Sequence, residues 1–201
     1  MLYNNHINAR RPLTLTLRPH QQRALDALLT ASIGRVTIPT GGGKTLVMIE
    51  DVKRRLIAAE TAQTVVIVAP RILLAVQLYE EFWSALNGTV DAATMHVHSG
   101  EVDCTSTTKI QQIQCHAGVC AAAGVHQLIF TTYNSLRRIN EAGIDVDYIY
   151  YDEAHNSVRR DFFKEVAIAS LTAKNAYYFT ATPKYRGGVI SMNNTEVYGS
   201  E

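Results

Sequence analysis

The stretch "RVTIPTGGGKTLVMIE", residues 35–50, decides the fold. A short run rich in β-branched residues leads into three glycines, and a segment with helical character follows. Gly41, Gly42 and Gly43 allow the backbone to curl so that successive N–H groups point inward at an anion. The following helix adds the positive end of its dipole at the same place. This order of strand, glycine turn and helix predicts a phosphate-binding loop.

Two side chains after the glycines fit the same prediction. Lys44 supplies a full positive charge for the β- and γ-phosphates of ATP, and Thr45 supplies a hydroxyl for Mg²⁺. The pattern G-x-x-x-x-G-K-[ST] is met except at its first position, which is Ile38. A flexible glycine loop with an incidental lysine is the alternative, and the strand before and helix after argue against it.

A second stretch, "YIYYDEAHNS" at residues 148–157, places two carboxylates side by side after a run suited to a buried strand. That arrangement is costly unless a cation is nearby, and a solvated turn is the alternative. In phosphate-loop ATPases a second strand delivers an aspartate to the Mg²⁺ of the nucleotide. We therefore expect Asp152 to hold the metal through a coordinated water. Glu153 is expected to accept a proton from the attacking water as general base.

Composition gives the class of protein but not its partner. The chain has 201 residues, 47% of them hydrophobic and 18% charged, which fits one soluble α/β domain with a well-filled core. A formal net charge of +1 does not indicate a nucleic-acid binder. No apolar run approaches the roughly 18–20 residues that cross a bilayer. Three cysteines make a disulfide framework improbable, so a cytoplasmic location is expected, with a nuclear one left open.

Strand-like and helix-like segments alternate along the chain. Several of the strand-like runs are apolar on both faces, as buried parallel strands are. The fold class predicted is therefore an α/β domain with three layers, α/β/α, and a mainly parallel sheet. The six predicted strands are 35–39, 64–70, 94–99, 127–132, 147–152 and 176–182, and the main predicted helices are 19–34, 45–60, 71–88 and 158–171.

These motifs together resemble the first RecA-like motor domain of superfamily 2 helicases, in the DEAD/DEAH-box group. The chain is most similar to the branch with type III restriction-enzyme motor subunits and excision-repair helicase relatives, over roughly residues 14–185. In that superfamily a non-glycine start of the phosphate loop is tolerated. The matching segments, in the family's order, are "LRPHQQRAL" (17–25), "PTGGGKT" (39–45), "VAPRILLAVQ" (68–77), "FTTYNSL" (130–136), "DEAH" (152–155) and "TATP" (180–183).

The resemblance implies further site residues. Gln21 would contact the adenine edge with Arg18 nearby, and Thr40 would belong to the phosphate loop. His155 would link the nucleotide site to the strand end at Thr180 and Thr182, so that the ATP state reaches the nucleic-acid track. That track, DNA rather than RNA, would be lined by Pro70, Arg71, Thr131, Thr132 and Tyr133.

The resemblance also implies a division of the chain. We expect an N-terminal extension at 1–13, the RecA-like ATP-binding domain at 14–185, and at 186–201 the start of a connection to a second RecA-like domain. That second domain would carry the arginine finger, and the only arginine after Pro183 is Arg186. Losing an arginine finger costs on the order of 10³–10⁵ in rate, so the chain alone should bind ATP weakly and hydrolyse it poorly. A nuclease or repair subunit is a further expected partner in a bacterial or phage-type host.

Three other interpretations remain open. The chain could be a phosphate-loop ATPase of a packaging or transport machine, or a nucleotide-gated nucleic-acid binding module without turnover. A zinc site is the third, because Cys104, Cys115 and Cys120 occur near several histidines. Their spacing matches no familiar zinc pattern, and Cys120 falls on an apolar helical stripe with Ile110 and Ile113.

Overall fold

The computed structural model describes residues 16–100, 106–185 and 190–201. The predicted N-terminal extension at 1–13 lies outside the described residues, as do Cys104 and Arg186.

Six strands form one sheet in which every pairing is parallel. The order across the sheet is β1-β6-β5-β2-β4-β3. All six strands coincide with the segments predicted from β-branched and aromatic runs, with shifts of one or two residues at their ends. They are β1 Ile33–Thr37, β2 Thr64–Ala69, β3 Ala92–Val97, β4 His126–Thr132, β5 Tyr148–Tyr151 and β6 Asn175–Thr180.

Seven α-helices and one 3₁₀ turn connect these strands within the described residues. They are α1 Pro19–Thr30, α2 Lys44–Ala58, α3 Ile72–Leu86, α4 Ile110–Ala123, α5 Leu136–Ala142, the 3₁₀ turn Ala154–Asn156, α6 Arg160–Thr172 and α7 Thr195–Tyr198.

The first helix is shorter than predicted. The sequence suggested that it runs to Gly34, whereas α1 ends at Thr30 and Gly34 lies in β1 opposite Tyr177 of β6. The parallel ladder to β6 pairs Ile33–Thr37 with Ala176–Thr180, and this tertiary pairing outweighs the helix predicted for residues 31–34.

The helices cover both faces of the sheet, which confirms the three-layer α/β/α prediction. One core packs α1, α2 and α3 on the first face, with Leu25 and Phe82 fully buried. The other packs α4, α5, α6 and α7 on the second face, with Ile113 and Val166 fully buried. Neighbouring strand residues point to opposite cores, as Tyr150 and Tyr151 do on β5.

Residues 190–201 pack against this domain. Met192 and Tyr198 are completely buried in the second core. The backbone N–H of Arg35 donates to the Ser200 carbonyl at 2.8 Å, beside β1 at the edge of the sheet. The division of the chain at residue 186 remains a prediction, and the segment after it contributes to the packing described here.

Candidate functional site

The phosphate loop, residues 39–45, joins the end of β1 to the start of α2. Gly41 and Gly43 have φ of 77° and 86°, a region that residues with side chains rarely adopt. At Gly42 an added Cβ would lie 2.5 Å from Cγ2 of Ile38 and 2.9 Å from the Pro39 carbonyl oxygen. The loop therefore needs all three glycines, two for their conformation and one for space.

The start of α1 holds this loop from one side. The side-chain amide of Gln21 donates to the Gly42 carbonyl at 3.0 Å, and a ring nitrogen of His20 lies 3.0 Å from the same oxygen. Gln21 also accepts from the Arg18 backbone N–H at 2.8 Å. Gln21 is buried, whereas Arg18 and Thr40 are exposed. The structure thus places the predicted adenine-side residue against the loop, and its contact with a base stays a prediction.

His20 was not predicted from the sequence. It carries no pattern of its own within the matching segment "LRPHQQRAL", and only the packing of α1 on the loop reveals its contact. A cavity of about 690 Å³ is lined by His20 of α1 and Gly42 of the loop, and it continues between α1 and β1 toward Ser200 and Glu201. The sequence could not indicate this cavity, because its walls come from parts of the chain far apart in sequence.

The two predicted motifs meet at the carboxyl edge of the sheet. Nζ of Lys44, at the start of α2, lies 3.5 Å from Oε1 of Glu153, just after β5. Nδ1 of His155 lies 3.2 Å from the other carboxylate oxygen of Glu153. The strand order makes this possible, since only β6 separates β1 from β5. Lys44, Glu153 and His155 therefore lie in one polar cluster, in which Lys44 and Glu153 form an ion pair.

Asp152 has an unfavourable charge environment without a cation. Burial, followed by the neighbouring Glu153 carboxylate, raises its pKa from 3.8 to about 6, although Lys44 acts in the opposite direction. A bound divalent ion stabilises the charged form of a carboxylate that is buried beside another carboxylate. Asp152 and the Thr45 hydroxyl in the first turn of α2 are oxygen donors, the type that Mg²⁺ prefers. The residues present therefore fit a magnesium ion.

Glu153 adopts an unusual backbone conformation. With φ 45° and ψ 51° it is the one non-glycine residue of positive φ among the described residues. This left-handed conformation costs roughly 1–3 kcal/mol for such a residue and clusters at functional sites in proteins. It lies between β5 and the 3₁₀ turn Ala154–Asn156, and the carboxylate of the same residue contacts Lys44.

The three predicted coupling residues also come together. Nδ1 of His155 lies 3.2 Å from the Thr180 hydroxyl and 3.5 Å from the Thr182 hydroxyl. Burial lowers the pKa of His155, with Glu153 opposing the shift, so the ring is neutral at pH 7. The end of β6 is thus connected through His155 to the Lys44–Glu153 pair. Whether this connection transmits the nucleotide state stays a prediction.

The predicted nucleic-acid residues fall into two groups. Pro70 is half-buried and Arg71 is exposed at the start of α3. The side chains of Thr131, Thr132 and Tyr133 are buried, with at most 3% exposure, and their hydroxyls are used inside the protein. They bond respectively to the Val97 carbonyl, the Ser135 N–H and the Asp152 carbonyl. At these three positions no side-chain surface is open to a ligand in this structure, so the track prediction depends on Pro70 and Arg71.

Residues 14–185 match the family described as "ResIII: Type III restriction enzyme, res subunit". The chain belongs to this family. Curated proteins gave no match.

Solved structures share the fold of this ResIII domain. A nuclease-deletion mutant of the Type ISP restriction-modification enzyme LlaGI, in complex with a DNA substrate mimic, has a TM-score of 0.75 and 24% identity. The UvsW helicase of bacteriophage T4 has a TM-score of 0.65 and 14% identity. The match covers 92% of this chain in both cases, 19% of the LlaGI chain and 59% of the UvsW chain. The chain thus spans about a fifth of the LlaGI protein.

A third structure with this fold is the Sulfolobus solfataricus SWI2/SNF2 ATPase core in complex with dsDNA. It has a TM-score of 0.56 and 23% identity, over 84% of this chain and 32% of that one. At these identities the three structures establish the fold of the ResIII domain and nothing finer.

Two other findings concern the zinc site that the sequence left open and the possibility of a membrane span. In the parts of the chain that the structure describes, no three histidine, cysteine or acidic side chains are grouped so that they could hold a metal ion. Cys120 is buried on α4, with its sulfur 3.6 Å from Nδ1 of His116. Over the same residues, no helix is long and apolar enough to cross a membrane.

Proposed function

We propose that this ResIII domain binds and hydrolyses ATP with Mg²⁺ and couples hydrolysis to movement along DNA, in a protein with a second RecA-like domain. The observation that carries the proposal is the 3.5 Å approach of Lys44 on the phosphate loop to Glu153 of the DEAH tetrapeptide. Two motifs more than 100 residues apart converge on one edge of the sheet, where α/β proteins bind their ligands.

The chain's own residues would divide the work of nucleotide binding. Backbone N–H groups of Gly41, Gly42 and Gly43 and the Lys44 ammonium would bind the phosphates. Thr45 and Asp152 would hold Mg²⁺, which when bound neutralises charge on the phosphate oxygens. Gln21, on the loop side of α1, would contact the adenine, with Arg18 close to it.

Glu153 would act as the general base. Its carboxylate lies next to Asp152 and is oriented by Lys44 and His155, so it can accept a proton from a water beside the γ-phosphate. His155, which bonds to Thr180 and Thr182, would pass the state of the site to the end of β6. Full rate would still need a cation from a second domain, so slow turnover is expected of this chain alone.

DNA is the proposed track because LlaGI and the SWI2/SNF2 core are described in complex with DNA or a DNA mimic. Arg71 at the exposed start of α3 would contact backbone phosphate without reading sequence. A near-neutral chain suits a motor that slides, since bulk positive charge would hold it in place.

The proposal is tested by titrating the chain with a fluorescent ATP analogue, with and without Mg²⁺. The titration is repeated with single-stranded DNA, duplex DNA and RNA. We expect saturable binding that Mg²⁺ tightens and that DNA alters more than RNA does. Nucleotide affinity that is the same with and without each nucleic acid would favour a packaging or transport ATPase. If the chain binds no nucleotide, every proposal that it is an ATPase is excluded. Rapid DNA-stimulated turnover by this chain alone would contradict the need for a second domain.

A further inference from the structure

A buried polar cluster lies between α2 and the sheet, away from the phosphate loop. At its centre is Asp51, whose side chain is completely buried. Its Oδ2 accepts from the Tyr150 hydroxyl at 2.5 Å and from Nε of Arg55 at 2.9 Å. Neither the phosphate-loop pattern nor the DEAH tetrapeptide includes any of these residues.

The cluster reaches two further elements through Arg55. The guanidinium donates to the Leu28 carbonyl at the end of α1 and to the Tyr177 hydroxyl on β6, each at 2.8 Å. Tyr177 in turn donates to the Ala31 carbonyl at 2.7 Å. One cluster therefore joins α1, α2, β5 and β6.

Helix and strand periodicity align the cluster with the site. Asp51 follows Lys44 by seven residues, two turns along the same face of α2. Tyr150 precedes Asp152 by two residues, and its side chain bonds to Asp51 on α2. Two side-chain contacts join α2 to β5 and to the turn after it, and together they are here called the α2–β5 seam. They are the Asp51–Tyr150 bond at one end and the Lys44–Glu153 pair at the other.

A contribution to folding stability does not by itself explain why this polar cluster is buried. Removing a carboxylate from water is expensive, and well-packed apolar side chains often replace a buried ion pair without loss. The second Asp51 oxygen, Oδ1, has no hydrogen-bond partner among the described residues, which adds to the cost. Burial, followed by the Asp51 carboxylate, raises the pKa of Tyr150 well above its usual range, so the phenol remains a donor. What such a cluster provides is a fixed register, because its directional bonds are satisfied in one arrangement only.

We propose that Asp51, Arg55 and Tyr150 are positioning residues that set the spacing along the α2–β5 seam. They thereby set the distance between Thr45 and Asp152, the two residues proposed to hold the metal ion. This inference rests on the proposed function, since it assigns these residues a role in the magnesium-dependent part of nucleotide binding. They touch neither nucleotide nor metal.

The chain offers a matched pair of variants for the test. Tyr150→Phe removes one buried hydroxyl on the α2 side of β5. Tyr151→Phe removes one on the opposite side, where it bonds to Ser170 at 2.9 Å. Both tyrosines are completely buried, so the two variants lose similar interactions next to Asp152. ADP binding is measured for each by calorimetry in excess MgCl₂ and again in EDTA, and the ratio of the two affinities is the magnesium gain.

We expect Tyr150→Phe to reduce the magnesium gain by about three- to tenfold, the effect of one hydrogen bond, with ADP affinity in EDTA little changed. Tyr151→Phe should keep the wild-type gain. Asp51→Asn, which preserves size, should repeat the loss. A general loss of stability would lower the magnesium gain of Tyr150→Phe and Tyr151→Phe alike. Melting curves of all variants show whether they are folded at the assay temperature.

The outcomes distinguish this inference from the function on which it rests. If the wild-type chain shows no magnesium gain, the magnesium site itself is refuted. If the wild type shows the gain and both Tyr150→Phe and Asp51→Asn retain it, the positioning role is refuted while the site stands.

Discussion

Lys44 and Glu153 are paired across 3.5 Å, with 10% and 31% of their side chains exposed. The lysine assigned to the phosphates is thus held by the carboxylate assigned to activate water. A phosphate arriving at the loop competes with Glu153 for the same ammonium. Phosphate binding at the loop would therefore release the Glu153 carboxylate, the proposed base, from its ion pair with Lys44.

Removing the lysine charge should abolish most nucleotide binding. Lys44→Ala is expected to weaken affinity for a fluorescent ATP analogue by at least about tenfold, because a charge-assisted bond to phosphate is lost. Lys164→Ala is the matched control, on the exposed side of α6. If Lys44→Ala and Lys164→Ala bind the ATP analogue with equal affinity, the proposed role of the phosphate loop in nucleotide binding is contradicted.

Neutralising the base should separate binding from chemistry. Glu153→Gln frees Lys44 from its ion pair, so affinity for the ATP analogue should be unchanged or up to about threefold tighter. Residual ATP hydrolysis, measured by phosphate release, should fall below detection. Glu80→Gln, on the exposed face of α3, controls for the change in net charge. A Glu153→Gln chain that hydrolyses ATP at the wild-type rate would show that another group is the base.

The environment of Asp152 predicts a pH-dependent cost of folding. Its pKa is raised from 3.8 to about 6 in the folded chain, so the folded state holds the proton more tightly than the unfolded state does. Stability therefore falls as pH rises through that window, and the cost is fully present above about pH 6. Asp152→Asn should raise the melting temperature at pH 8, by roughly 2–4 °C for each kcal/mol recovered.

The difference in melting temperature between Asp152→Asn and the wild type should shrink as the pH falls from 8 to 4.5, where the wild-type carboxyl is itself neutral. Asp145→Asn, an exposed position before β5, should show no such trend. The Asp152→Asn chain should also lose the magnesium gain in nucleotide affinity. A melting temperature lower than wild type at pH 8 would contradict the assigned charge environment.

The packing of α7 can be tested by truncating its buried tyrosine. The Tyr198 ring lies 4.7 Å from the Tyr178 ring, and its hydroxyl accepts from Ser157 at 3.0 Å. Tyr198→Ala should cost about 3–5 kcal/mol in urea unfolding, as large-to-small changes in a core do. Asn193→Ala, an exposed position on the same segment, should be near neutral. A small effect at Tyr198 would mean that this segment does not belong to the folded unit.

The sequence predicted the parts of this fold that depend on local pattern. Runs such as "TVVIVA" are apolar on both faces, and only a sheet covered on both sides accommodates them. The glycines of the phosphate loop and the DEAH tetrapeptide carry their own chemistry, so their meeting at one edge of the sheet was predictable from the order of motifs.

The remainder depends on packing that no local pattern encodes. The end of α1 is decided by pairing with β6, and the contacts of His20 and Tyr198 depend on segments far away in the chain. Thr131 resembles a surface hydroxyl in the family motif, yet its side chain bonds to the Val97 carbonyl across the sheet. The Asp51 cluster was missed for the same reason, because acidic and basic residues four apart on a helix usually lie in solvent.

The left-handed backbone at Glu153 bears on how this domain would respond to laboratory evolution. Glycine adopts φ of 45° without penalty, and an amide at position 152 would not suffer from burial as a carboxylate does. Both changes would raise the stability of the fold while removing the groups proposed to do its chemistry. A screen that rewards heat resistance without demanding turnover should therefore accumulate changes at this dipeptide early.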